Sequence, residues 1–128
     1  MHKEFNPGTI AAPFSRYSHG VEASATARWL HISGQVGVGP DGRLAEGAEA
    51  QTEQAWRNLM AVLEAAGMNQ THLIKVTAFL TRSDDVAVYR EVRDAVLTGA
   101  RPASTMLIVA GLAHPEWLVE IEAVAAAD

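Results

Sequence analysis

In the segment EWLVEIEAVA, residues 116–125, one phase of every-second positions is wholly apolar: Trp117, Val119, Ile121, Ala123 and Ala125. Side chains alternate faces along a strand, so this pattern demands a sheet with one face against a core. The other phase carries Leu118, Glu120, Glu122 and Val124. Its two carboxylates either meet water, as one face of an antiparallel sheet often does, or belong to a site. HLIKVTAFLT, residues 72–81, repeats the alternation, with Ile74, Val76, Ala78 and Leu80 opposite Lys75, Thr77, Phe79 and Thr81.

Between such segments the period changes. From about Gly47 to Ala66, Ala55, Trp56, Leu59, Val62, Leu63 and Ala66 recur at helical spacing and form one stripe. Gly67 is placed to end this helix in the left-handed conformation. A second helix is expected from an N-cap at Ser83, with Asp84 and Asp85 in its first turn, to Leu97, ended by Gly99. Its apolar stripe is Val86, Tyr89, Val92 and Val96. Further strands are expected from Val21, around RWLHISGQV after a turn near Ser24–Ala27, and in RPASTMLIVA, residues 101–110.

The resulting order is β-β-α-β-α-β-β, with room for a short strand at the start. It describes an α+β sandwich, residues 1–128 as one domain, with two helices on one face of a single sheet. Phe79, Met106 and Leu118 are expected to make the uncovered face partly apolar, which points to oligomerisation.

A hydrophobic fraction of 48% and a charged fraction of 20% are those of a soluble globular chain. Ten basic against fifteen acidic residues, net charge −5, argue against nucleic acid as the main partner. Without cysteine there is no disulfide, thiolate metal site or cysteine nucleophile. The opening MHKEFNPG lacks a signal-peptide core, and the longest uncharged run, Pro102 to Pro115, is too short to span a bilayer. A cytoplasmic location away from membranes is expected.

GVGPDG, residues 37–42, matches G-x-G-x-x-G, yet it holds Pro-Asp-Gly and the helix begins only after RLAEG. A turn is the expectation, since dinucleotide binding needs the motif to open a helix. The five histidines, at 2, 19, 31, 72 and 114, have no ligand spacing, so no metal is expected. Arg90 and Arg93 are neighbours on the second helix, and Arg101 follows in the loop. The helix pair either lies on a solvated face with Glu91 and Asp94 or grips a small carboxylate bidentately.

Taken together, YSHGV (17–21), LHISGQVGVGPDGRL (30–44), QTEQAWRNLMAVLEAAG (51–67), LIKVTAFLT (73–81), RPAST (101–105) and VEIEAVA (119–125) resemble the RidA family, also called YjgF/YER057c/UK114. The resemblance implies a chorismate-mutase-like fold assembled as a homotrimer with ligand clefts between subunits. It further implies a cofactor-free and metal-free enamine or imine deaminase that releases a carbonyl product and ammonia. Glu120 falls on the water-orienting glutamate, Tyr17 on a cleft tyrosine, and Ser33 and Gly34 on cleft-lining positions. Arg90 corresponds to a cleft asparagine. Where deaminating members have an arginine directly after Pro-Ala, this chain has Ser104, followed by Thr105 and Met106. Losing a charge-assisted contact costs about a hundredfold or more in rate. Three readings stay open: a deaminase with altered substrate, a non-catalytic small-ligand-binding or interaction trimer, and an endoribonuclease, the last disfavoured by the acidic balance.

Overall fold

The computed structural model describes residues 2–128. Its elements are β1 (Lys3–Phe5), β2 (Gly20–Glu22), β3 (Arg28–Val36), α1 (Ala48–Ala65), β4 (Leu73–Leu80), α2 (Val86–Leu97), β5 (Ala103–Ile108) and β6 (Val119–Ala127). Four strands form one mixed sheet in the order β3-β6-β4-β5, with only β4 and β5 parallel. A parallel pair needs a crossover, and α2 supplies it. The last strand of the chain is therefore interior, between β3 and β4.

That interior position explains the alternation of β6. Val119, Ile121, Ala123 and Ala125 are buried, while Glu122 is exposed and Glu120 half-buried. Trp117 lies just before the strand, stacked on His114 at 5.6 Å. Against the buried face pack Ala55, Trp56, Leu59 and Leu63 of α1 and Tyr89 and Leu97 of α2. Ala55, Leu59 and Leu63 repeat every four residues, so α1 turns one stripe to the sheet.

α1 ends as its sequence requires: Gly67 has φ 70°, its N–H bonds Glu64 O, and Met68 N–H bonds Leu63 O. This pair of bonds satisfies carbonyls that the helix end leaves open. α2 departs from expectation at its start. Ser83 caps nothing; Ser83–Asp85 is a 3₁₀ turn, and Arg82 holds Asp85 at 2.9 and 3.1 Å. At its other end α2 stops at Leu97 as expected, with the C-cap Thr98 at φ 48° and Gly99 following at φ 96°, both left-handed.

Three further expectations change. β2 pairs with β1 in a separate ribbon outside the main sheet. In β4 an extra residue between Leu73 and Lys75 shifts the register against β6, so Leu73 takes the buried place expected for Ile74. Met106 pairs with core-facing Ala78 and packs against the core, so it lies under the helices and not on the uncovered face.

Candidate functional site

On the uncovered sheet face, Glu120 lies between Val36 of β3 and Phe79 of β4. β3 carries an irregularity between Ile32 and Gln35, which spends an additional residue at Ser33–Gly34. Bulges re-aim side chains, and here the bulge sets Gly34 directly against the Glu120 carboxylate. A β-carbon on Gly34 would collide with Glu120 Oε2 and come within 2.7 Å of its Cδ. Glycine at 34 is the condition for the carboxylate to lie where it does.

Side chains of α1, buried Gln51 and half-buried Asn58, fix both strands that meet there. Gln51 accepts from Leu118 N–H at 2.9 Å and donates to Glu116 O at 3.2 Å, holding the entry to β6 two residues before Glu120. Gly37 lets β3 run against Gln51, because a β-carbon there would be 2.6 Å from Gln51 Cα. Asn58 donates to Val36 O and Val38 O at 3.0 and 2.9 Å. Among the described residues the ion pairs engage Asp41, Asp85 and Asp94, leaving both Glu120 and Glu122 out.

A second cluster lies on the helix side of β5. A cavity of about 170 Å³ is lined by Phe14, Ser15, Tyr17, Arg90, Arg93, Ser104 and Met106. Tyr17 arrives there because its neighbour Ser18 is stitched to the start of β5. Ser18 Oγ donates to Arg101 O at 2.6 Å, and Ser18 N–H to Pro102 O at 3.2 Å. Phe14 N–H in turn donates to the Tyr17 hydroxyl at 3.2 Å.

The structure thus brings Tyr17, Arg90, Ser104 and Met106 to one cavity. Glu120 and Gly34 meet on the opposite face, with Ser33 beside them in β3. Thr105, one residue from Ser104, points to the open face and accepts a hydrogen bond from Lys75 Nζ at 2.7 Å. The two helix arginines part company: Arg90 is exposed, while Arg93 is 3% exposed and donates to Asp94 at 3.0 Å. Arg101 lies outside that cavity, in a groove with His2, Glu4 and Thr98. Sequence reasoning passed over Ser15, Phe14 and Gln51. Only the helical offset of Gln51 from Ala55 and Leu59, which places it on the buried stripe, could have marked it.

GVGPDG is a turn: Gly42 N–H bonds Gly39 O at 2.9 Å, and Val38 pairs with Leu44. His19 donates from Nε2 to Ala11 O at 2.7 Å, a structural role. Among the described residues no three His, Asp or Glu side chains gather as a metal site would need. No helix there is long and apolar enough to cross a membrane.

The family model described as Endoribonuclease L-PSP matches residues 9–127. A mouse protein named 2-iminobutanoate/2-iminopropanoate deaminase is 34% identical over 127 residues, covering 98% of this chain and 91% of that protein. Among solved structures, the Rid-family protein YyfB of Yersinia pestis superposes with a TM-score of 0.85 at 33% identity, covering 98% of both chains. RidA of an Antarctic Psychrobacter gives 0.73 at 36% identity over 89% of this chain and 90% of its own.

Proposed function

This chain belongs to the RidA (YjgF, endoribonuclease L-PSP) family, and from that premise we propose that it hydrolyses imines or enamines in an intersubunit cleft of a homotrimer. Its place is the subgroup without the arginine after Pro-Ala, since Ser104 stands there. The whole chain, residues 1–128, acts as one cytoplasmic domain, with no cofactor, metal, membrane or nucleic-acid partner.

In the reaction, water oxygen bonds to the imine carbon, the C–N bond breaks, and nitrogen leaves as ammonia while a carbonyl forms. Glu120 orients the water, accepts one proton on attack and the hydroxyl proton as the carbonyl forms, and passes each to the nitrogen, which leaves as ammonia. Ser33 and Gly34 line the Glu120 side, together with Thr105. Tyr17, Arg90, Ser104 and Met106 line the side that receives the body of the substrate.

The observation that carries this reading is the division of the site into two halves of complementary chemistry. One half is a carboxylate outside every ion pair among the described residues, seated against a glycine. The other is a small cavity with two guanidinium groups and three hydroxyl groups in its lining. They lie on opposite faces of one sheet, so a second copy of the chain is the natural means of closing them into a cleft.

The test follows enzymatically generated 2-iminobutanoate as it becomes 2-oxobutanoate. The native chain is expected to speed this step, and Glu120→Ala to lose about a hundredfold or more of the acceleration. Decay at the background rate with the native chain would overturn the hydrolase. It would leave a non-catalytic ligand-binding trimer, the second reading, which Ser104 favours because it offers one neutral hydrogen bond in place of a fixed charge. Endoribonuclease action is disfavoured by the net charge of −5.

A further inference from the structure

We propose that the groove between α1 and α2, on the outer side of the helix layer, is a docking site for a basic amphipathic helix of another protein. The groove shares no residue with the Glu120 notch or the β5 cavity, so this inference stands apart from the reaction above.

α2 carries more apolar surface than its inward stripe uses. The row that turns inward is Tyr89, Arg93 and Leu97. Val88, Val92 and Val96, also four apart, form a second row that stays half-buried, with Ala95 exposed at its edge. Facing this row, α1 presents Glu49, Glu53 and Arg57, again four apart. The space between the rows is about 410 Å³, and Glu91 of α2 joins its wall. β3 and β4 both run antiparallel to β6, and β5 runs parallel to β4, so these three strands point the same way. The helices that connect them therefore run side by side in one direction and leave a trough along their length. From Glu49 to Arg57 the trough extends about 12 Å, roughly two turns of a third helix.

Charge decides the occupant. The trough is lined by three carboxylates against one guanidinium. Glu53 and Arg57 have the spacing of a helix ion pair, yet among the described residues none of these four groups is in one. The helix dipole accounts for Glu49, in the first turn of α1, but not for Glu53 or Glu91, each beyond the first turn of its helix. An apolar floor between unpaired carboxylates complements a helix whose apolar stripe is flanked by lysines or arginines. Arg57, in the third turn of α1, calls for an acidic residue towards one end of that helix and so sets its direction. A second copy of the chain does not fit, because its helix layer would bring Glu49, Glu53 and Glu91 against the same three residues. A copy that closes the open sheet face leaves the helices outermost, so the trough stays accessible in the trimer proposed above.

The probe is a fluorescein-labelled peptide of about 14 residues built from Lys, Leu and Ala, with lysines and leucines on opposite helical faces. Its binding to the native protein is followed by fluorescence anisotropy. Two further peptides serve as controls, one of the same composition in a non-amphipathic order and one with Glu for every Lys. The native chain is expected to bind the basic amphipathic peptide about tenfold or more tightly than either control. Glu49→Gln, Glu53→Gln and Glu91→Gln together should weaken binding about tenfold, whereas the same change of charge at exposed Glu4, Glu22 and Glu116 should weaken it less than about threefold. Ala95→Arg, at an exposed helix position, sets a cation in the trough and should weaken binding as much as the first triple variant. Imine turnover is expected to be unchanged in all three variants. No binding of the basic peptide by the native chain, equal affinity for its two orders, equal losses in the two triple variants, or undiminished binding in Ala95→Arg would overturn the proposal. So would displacement of the peptide by an equal concentration of hexylamine, which would make a small organic cation the occupant. A lower assembly mass of the first triple variant in light scattering would also overturn it, by making the trough a contact between copies.

Discussion

The two faces of the same sheet obey the same alternation and do opposite things. Under the helices, Val76, Ala78 and Leu80 of β4 meet Val119, Ile121 and Ala123 of β6 with Trp56, Leu59 and Tyr89 above them, all buried. On the open face the intervening positions are Thr77, Phe79, Glu120 and Glu122, none fully buried, with exposed Leu107 alongside on β5. The covered face is closed within one chain, and its energetics are those of any core. The open face mixes a carboxylate held against glycine with apolar side chains left at the surface.

The largest effect should come from the covered face. Leu59→Ala is expected to cost about 2–5 kcal/mol in denaturant unfolding, because its neighbours cannot fully close the cavity. Glu122→Ala, exposed on the open face, is expected to stay within about 0.5 kcal/mol. Equal costs for the two would erase the distinction between the faces.

Gln51→Ala comes next. It removes the side chain that satisfies Leu118 N–H and Glu116 O, at an expected cost of about 1–3 kcal/mol. A loosened entry to β6 should also reach Glu120, so imine turnover is expected to fall more than stability alone accounts for. Gly34→Ala sharpens the same point from the other strand. The added carbon meets the flexible end of Glu120, so unfolding should change by less than about 1 kcal/mol. Displacing the carboxylate is expected to lower turnover about tenfold, near 1.4 kcal/mol.

Tyr89→Phe should change stability least at neutral pH, and it has a signature of its own. Among the described residues no group bonds the buried Tyr89 hydroxyl, so its removal is expected to be near neutral or slightly stabilising. Burial raises its pKa above the ordinary 10.0. The folded chain therefore keeps this proton while the unfolded chain releases it, and stability falls as pH rises above 10. A phenylalanine side chain has no proton to lose, so unfolding followed from pH 8 to 11 should show a shallower alkaline decline in the variant.

Most of the covered face was legible in the sequence because a core imposes its period on every residue that enters it. The stripe of α1, its glycine stop and the apolar phase of β6 all follow from that rule. Register devices were not legible. The extra residue near Ile74 and the bulge at Ser33–Gly34 arise from how strands pair, and strand pairing is set by residues distant in sequence. The split between Arg90 and Arg93 follows from helix phase: the buried stripe of α2 is Tyr89, Arg93 and Leu97, four residues apart, and not the expected Val86, Tyr89, Val92 and Val96, so Arg93 turns inward and Arg90 outward. Glu120 could be singled out by resemblance, whereas the glycine that seats it has a reason visible only in three dimensions.

Whether two faces of one sheet become one site depends on a second copy of the chain, and light scattering of the purified protein addresses that directly. A mass three times that of the 13.7 kDa chain is expected, with the open faces covered and each Glu120 brought within reach of a neighbour's cavity. A monomeric mass at working concentration would contradict the shared cleft, leaving the Glu120 notch and the Arg93 cavity as separate features.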